Sequence, residues 1–135
     1  MAMAKTRYLE GKILDHVLRN IPYIPPATIY LALFTADPGE AGSLAAEITD
    51  PTYQRKAVTF STAVDDVESG KLVKSTIDLD FAQATTEWGT VTHVMLMDAL
   101  TEGNGLYYGT VTNPKAISVG DFIKVPASEL VVKED

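Results

Sequence analysis

The sequence has no cysteine. Disulfides, thiolate nucleophiles and cysteine-ligated zinc are therefore excluded together. Histidine is scarce, with only His16 and His93, and Trp88 is the one tryptophan. A catalytic or metal-binding histidine needs partners converging on it. His16 falls beside Val17 on a helical pattern and reads as a surface residue. His93 falls inside an apolar strand and reads as a core histidine bonded to backbone. Basic residues are also few, 11 against 18 acidic ones, for a formal net charge of -7. Phosphate binding needs a dense basic face, so no nucleic-acid partner is expected. The acidic balance fits a soluble, self-repelling surface. No apolar run approaches the roughly 18 residues of a membrane-spanning helix, so no membrane partner is expected. The opening "MAMAKTRYLEGKILDHV" carries charge where a signal peptide has a continuous apolar core, so it reads as no signal peptide.

Motifs that carry chemistry are missing too. There is no G-x-S-x-G elbow and no D-x-[DN]-x-[DN]-G calcium loop, and "PGEAGS" lacks the lysine and spacing of a phosphate loop. Carboxylates do cluster, as Asp65-Asp66 with Glu68, Asp78 with Asp80, and Glu134-Asp135. Asp78 and Asp80 fall on one strand face about 7 Å apart. Glycoside hydrolysis uses two carboxylates at a set separation, but alternating Asp on a solvent face is the commoner pattern. The expectation is no catalytic residue, no metal, no cofactor and no enzymatic activity.

What remains is architecture. At 135 residues the chain fits one domain, 1–135. Residues 6–21 form the one good helical pattern. Leu9, Ile13, Leu14, Val17, Leu18 and Ile21 recur at spacings of three and four, with Glu10, Lys12, Asp15 and Arg19 opposite. Thr6 is placed to cap the start. Pro22, Pro25 and Pro26 end the pattern and make 22–26 a proline-rich hinge.

A β-domain follows over 27–135. Strands are predicted at 28–35, 53–60, 71–81, 91–98, 106–112, 121–125 and 129–133, from runs rich in Val, Ile, Thr, Tyr and Phe between turn residues. The fold class is mainly β: an antiparallel β-sandwich or barrel of about seven strands with one N-terminal α-helix. Strands 28–35 and 91–98 are apolar on both faces, which places them centrally, with Leu31, Leu33, Val94 and Leu96 buried. "TEGNG" at 101–105 and "SVGD" at 118–121 read as tight turns. Asp37-Pro38-Gly39 suits a type II turn that opens an acidic loop over 36–52, a length that is often functional or mobile.

Several stretches then combine. "YLEGKILDHVL" (8–18), "ATIYLALFTADPGEAG" (27–42), "YQRKAVTFSTA" (53–63), "DFAQATTEWGTVTHVMLMDA" (80–99) and "LYYGTVTNPKAISVGDFIKVPASELVV" (106–132) occur in this order. Together they resemble a family of small tailed-bacteriophage virion proteins, usually labelled phage tail fibre or minor tail proteins. The chain departs from the family at 65–75, "DDVESGKLVKS".

The resemblance implies a non-enzymatic structural subunit of a virion, of tail-fibre, minor-tail or adaptor type, assembled in the host cytoplasm. Its partners would be copies of itself and other virion proteins. Two alternatives stand beside it, a capsid decoration (cement) protein and a host-surface carbohydrate-binding module. Interface candidates are Leu9, Ile13 and Val17 on the helix and Asp37, Pro38, Gly39 and Glu40 on the loop. The loop is expected to meet Arg55, Lys56 or Arg19 of an adjacent copy. Sugar-contact candidates are Trp88, Tyr107 and Tyr108, since an aromatic face can stack on a sugar ring.

Overall fold

The computed structural model describes residues 3–135. Among them are one helix and ten strands in the order β1 (Met3–Lys5), α1 (Arg7–Leu18), β2 (Ile29–Phe34), β3 (Lys56–Val58), β4 (Val64–Asp65), β5 (Lys71–Lys74), β6 (Leu79–Asp80), β7 (Gly89–Met97), β8 (Gly105–Ile117), β9 (Lys124–Val125) and β10 (Val131–Glu134). They form a five-stranded sheet in the order β1-β8-β7-β2-β3, a three-stranded sheet β10-β5-β4 and a ribbon β6-β9. Every pairing is antiparallel.

The hydrophobic patterning explains this layering. β7 lies at the centre of the large sheet with β2 beside it, in register Leu31↔Leu96 and Leu33↔Val94. These four side chains face the main core, which they share with Leu79 of β6, Val132 of β10, Phe81, Trp88 and Leu130. The core thus lies between the large sheet and the smaller sheets, as in a β-sandwich. The opposite face of β2 and β7 is also apolar: Ala32, Phe34, Met95 and Met97 are all fully buried. Among the described residues no second sheet covers it. Leu44 and Ala46 of the 36–52 loop do.

Several boundaries differ from the sequence reading. The predicted strand 71–81 splits into β5 and β6 at Ser75. There the backbone turns to another partner: the Ser75 N–H donates to Leu130 O (2.9 Å), and its hydroxyl accepts from Leu130 N–H (3.3 Å). Of 53–60 only Lys56–Val58 is a strand. The short strands β1 and β4 carry too few residues to show a pattern. The helix ends at Leu18 instead of Ile21, because Asn20 takes a left-handed conformation (φ 57°) before any proline is reached. The 101–105 turn joins β7 to β8, with Gly103 at φ 74°. The 118–121 turn closes on Asp121 N–H to Ser118 O (2.9 Å).

Candidate interaction surface

Thr6 begins the helix and also ties it to the sheet. Its Oγ1 accepts from Leu9 N–H (3.3 Å) and donates to Gly105 O (2.6 Å), while its own N–H donates to Leu106 O (2.9 Å). Arg7 N–H donates to Glu40 O (2.9 Å), so the helix start is pinned to the loop as well. At the far end Arg19 and Ile21 donate to Asp15 O, both at 3.1 Å. His16 is exposed, and its Nδ1 accepts from Tyr23 N–H (3.1 Å), folding the proline segment back on the helix.

Of the helix's apolar residues only Leu9 is buried, and Ile13 is half-buried. Leu14 (57% exposed), Val17 (69%) and Leu18 (75%), with Ile24 (86%) in the hinge, form an apolar stripe that the rest of the described residues do not cover. Leu9 is thus taken up by its own fold, while Val17 remains on the surface.

The loop residues are placed otherwise. Asp37 Oδ1 accepts from Gly39 N–H (2.8 Å) and Gly39 takes φ 69°, but the backbone bonds of the turn fall later than expected, from Gly42 N–H to Gly39 O (3.0 Å) and from Ser43 N–H to Pro38 O (2.9 Å). Pro38 is buried. Glu40 is exposed and pairs with Arg7 at 3.5 Å. Further on, Thr35 N–H donates to Ala46 O (3.0 Å) and Ile48 N–H to Leu33 O (3.2 Å), which lays the loop against β2.

Arg55 does not reach outward from the chain. It is buried and holds Glu47 of its own loop through two bonds of 2.8 Å, from Nε to Oε2 and from one Nη to Oε1. The other Nη donates to Ala99 O and Glu102 O, each at 2.8 Å. The arginine expected to meet an adjacent copy is thus spent locking the loop to the β7–β8 turn. Tyr53 joins the lock, donating to Glu47 Oε2 (2.7 Å) and accepting from Leu33 N–H (3.0 Å). Burial, followed by the Glu47 charge, raises the Tyr53 phenol well above its ordinary value.

Asp50, which sequence reasoning passed over, is the other anchor of the loop. Oδ1 accepts from Thr52 N–H (2.9 Å), Thr52 Oγ1 (2.9 Å) and Thr85 Oγ1 (2.7 Å). Oδ2 accepts from Thr85 N–H, Thr86 N–H and Trp88 Nε1, all at 2.8 Å. Burial works against the charge, but the bonds from Thr52, Thr86, Thr85 and Trp88 outweigh it and hold the carboxyl far below the ordinary range. The local signal was Asp50-Pro51-Thr52, since Asp commonly accepts from the backbone two residues on.

The aromatic candidates part company here. Trp88 is buried against Asp50, with Tyr53 edge-on at 5.7 Å, so its indole is no sugar platform. Tyr107 is half-buried and donates to Glu134 Oε1 (2.6 Å), and Glu134 also holds Lys5 (2.8 Å). Tyr108 lies on the opposite face and lines a cavity of about 230 Å³ with Asp37, His93 and Thr110. His93 is half-buried and bonded to the Thr92 hydroxyl (2.8 Å) instead of to backbone. Asp78, expected only to face solvent, accepts from Ala127 N–H (2.8 Å) and pairs with Lys124 (3.4 Å). The Ala127 bond, then Lys124, lowers its carboxyl below the ordinary value.

Among the described residues, no group of three or more His, Asp or Glu is placed to hold a metal ion, and no helix is long and apolar enough to cross a membrane. No curated protein matches the chain. A family model does, the podophage GP4 fiber I protein gp80, over residues 4–133.

Proposed function

The chain belongs to the podophage GP4 fiber I protein gp80 family, and on that premise we propose that it is an adaptor-type subunit, attached to its virion neighbours through α1 and the hinge. As a member of that family it is a structural protein of a podophage fibre. The adaptor reading rests on a single observation: Leu14, Val17 and Leu18 stay exposed on a helix firmly pinned at its base, as does Ile24 in the hinge. An apolar stripe left bare by its own fold is a typical protein–protein contact. The subunit's work in this reading is mechanical and non-enzymatic, and its place is the virion. The loop belongs to the body, locked by Arg55 and Asp50, so it is no longer an equal candidate for the contact.

The test is Leu14→Asp with Leu18→Asp in the phage. Both side chains are exposed, so the variant should keep the circular dichroism and melting temperature of the wild type. It should be absent from purified particles. A correctly folded variant that enters particles at the wild-type level refutes the reading.

Carbohydrate binding has one specific observation in its favour, at Tyr108 alone. A half-buried phenol beside Asp37, His93 and Thr110 offers a ring face with hydrogen-bonding groups around it. Glycan-array binding that Tyr108→Ala abolishes without loss of folding would support this second activity. An array with no specific signal would remove it.

A further inference from the structure

The charge of the chain is divided unevenly. Residues 1–26 hold four basic and two acidic side chains, a net of +2; residues 27–135 hold seven basic and sixteen acidic, a net of -9. The bare stripe of α1 therefore lies in a cationic part of an acidic subunit, flanked by the exposed Arg7, which also pairs with Glu40 (3.5 Å), and Arg19, which also pairs with Asp15 (3.1 Å). A surface of that kind selects an acidic partner that also carries an apolar side chain.

The subunit itself presents one. The β4–β5 turn, residues 65–70, reads Asp-Asp-Val-Glu-Ser-Gly. Val67 at its tip is 99% exposed, the most exposed of the large apolar residues in the described chain. Asp65 and Glu68 flank it and are exposed as well, Asp65 also pairing with Lys71 at 2.7 Å. The tip is held in shape from below. Lys133 pairs with Asp66 at 3.0 Å, Ser69 Oγ donates to Asp135 Oδ2 at 2.8 Å, and Gly70 (φ 74°) packs so close to the Glu134 carbonyl that no side chain would fit. An apolar residue ringed by carboxylates on a braced turn is an unusual thing to offer water, and it matches the helix stripe in both character and charge.

The two surfaces lie against different sheets. Among the strands, α1 contacts only β8 and β1, whereas β4 and β5 belong to the other sheet. We propose that the 65–70 turn of one copy docks on the α1 stripe of a second copy, with Val67 against Leu14 and Leu18 and with Asp65 and Glu68 facing Arg7 and Arg19. This rests on the reading of α1 as the attachment surface and names what attaches. The contact joins two different surfaces, so it is head-to-tail and repeats until it closes into a ring or continues as a file of subunits.

The experiment uses the purified full chain in sedimentation velocity over a range of concentrations. The wild type should associate, and high salt should weaken the association because the flanking charges are exposed. Two reversed chains follow: Arg7→Glu with Arg19→Glu, and Asp65→Lys with Glu68→Lys. Each alone should lose association by at least tenfold in apparent Kd. Mixed in equal amounts they should associate again, because each supplies the charge the other has lost at both contacts. A hairpin-reversed chain that self-associates like the wild type overturns the proposal, as does a mixture that stays monomeric. A wild type that is monomeric at every concentration also overturns it. Particle incorporation of the Leu14→Asp, Leu18→Asp variant is read separately, so attachment through α1 to some other virion protein would survive any of these results.

Discussion

Asp50 and Trp88, 38 residues apart in the chain, meet through a 2.8 Å hydrogen bond from the indole N–H to Oδ2. The bond joins the end of the 36–52 loop to the residue just before β7. With Thr85 and Thr86 it makes one buried carboxylate the acceptor for two separate segments.

Asp50→Asn should therefore destabilise the fold although it changes no volume. The two Oδ1 hydroxyl donors can turn to accept from an amide, but Thr52 N–H cannot, so an amino group there faces a fixed donor. The melting temperature should fall by roughly 5 °C or more. The pH dependence has a definite sign. Asp50 titrates lower in the folded chain than the ordinary value of about 3.9, so its stabilisation is complete above that pH and fades as pH falls further. Wild type should lose stability on acidification below about pH 4, and Asp50→Asn should lose less over that range. Equal acid slopes in denaturant titrations would contradict this.

Trp88 should act through packing and its one donor. Trp88→Ala should cost about 3–5 kcal/mol through the cavity beside Tyr53. Trp88→Phe fills most of that space but deprives Asp50 of a donor, and should cost about 1–3 kcal/mol. Urea unfolding of both variants measures the difference.

Arg55→Met should cost about 3–5 kcal/mol, since it leaves the half-buried Glu47 charge with Tyr53 as its one remaining partner and takes the donor from Ala99 O and Glu102 O. Replacing Glu47 by Gln as well should return part of that loss, because the unpaired charge is then gone. A double-mutant cycle that gives simple additivity would show that the two side chains act independently.

Leu33 and Leu18 form a matched pair. Leu33→Ala, at a fully buried site in β2, should cost about 2–5 kcal/mol. Leu18→Ala, on the bare stripe, should change the stability of the isolated chain by less than about 0.5 kcal/mol. The comparison separates residues that hold the subunit together from those available to a neighbour.

The sequence was most readable where one local rule decides the outcome. Thr6 caps the helix because its hydroxyl meets orphan amides wherever a helix begins. β2 and β7 are central because only buried strands remain apolar on both faces. It was least readable where partners lie far apart in the chain. The residues that meet at Asp50 come from 50–52 and 85–88, and nothing in either stretch announces the other. Arg55 showed its charge but not its direction. The helix showed an apolar face, yet periodicity could not say that only Leu9 would be buried. The 36–52 loop read as a projection because its cover residues, Leu44 and Ala46, are too sparse to make a pattern.

That loop has a chemical consequence. Met95 and Met97 are fully buried on the sheet face that Leu44 and Ala46 cover. An oxidant can reach a thioether there only when the cover lifts, and a sulfoxide, being polar, would then resist its return. Sulfoxide at either methionine in an otherwise folded chain would therefore report that the loop had opened.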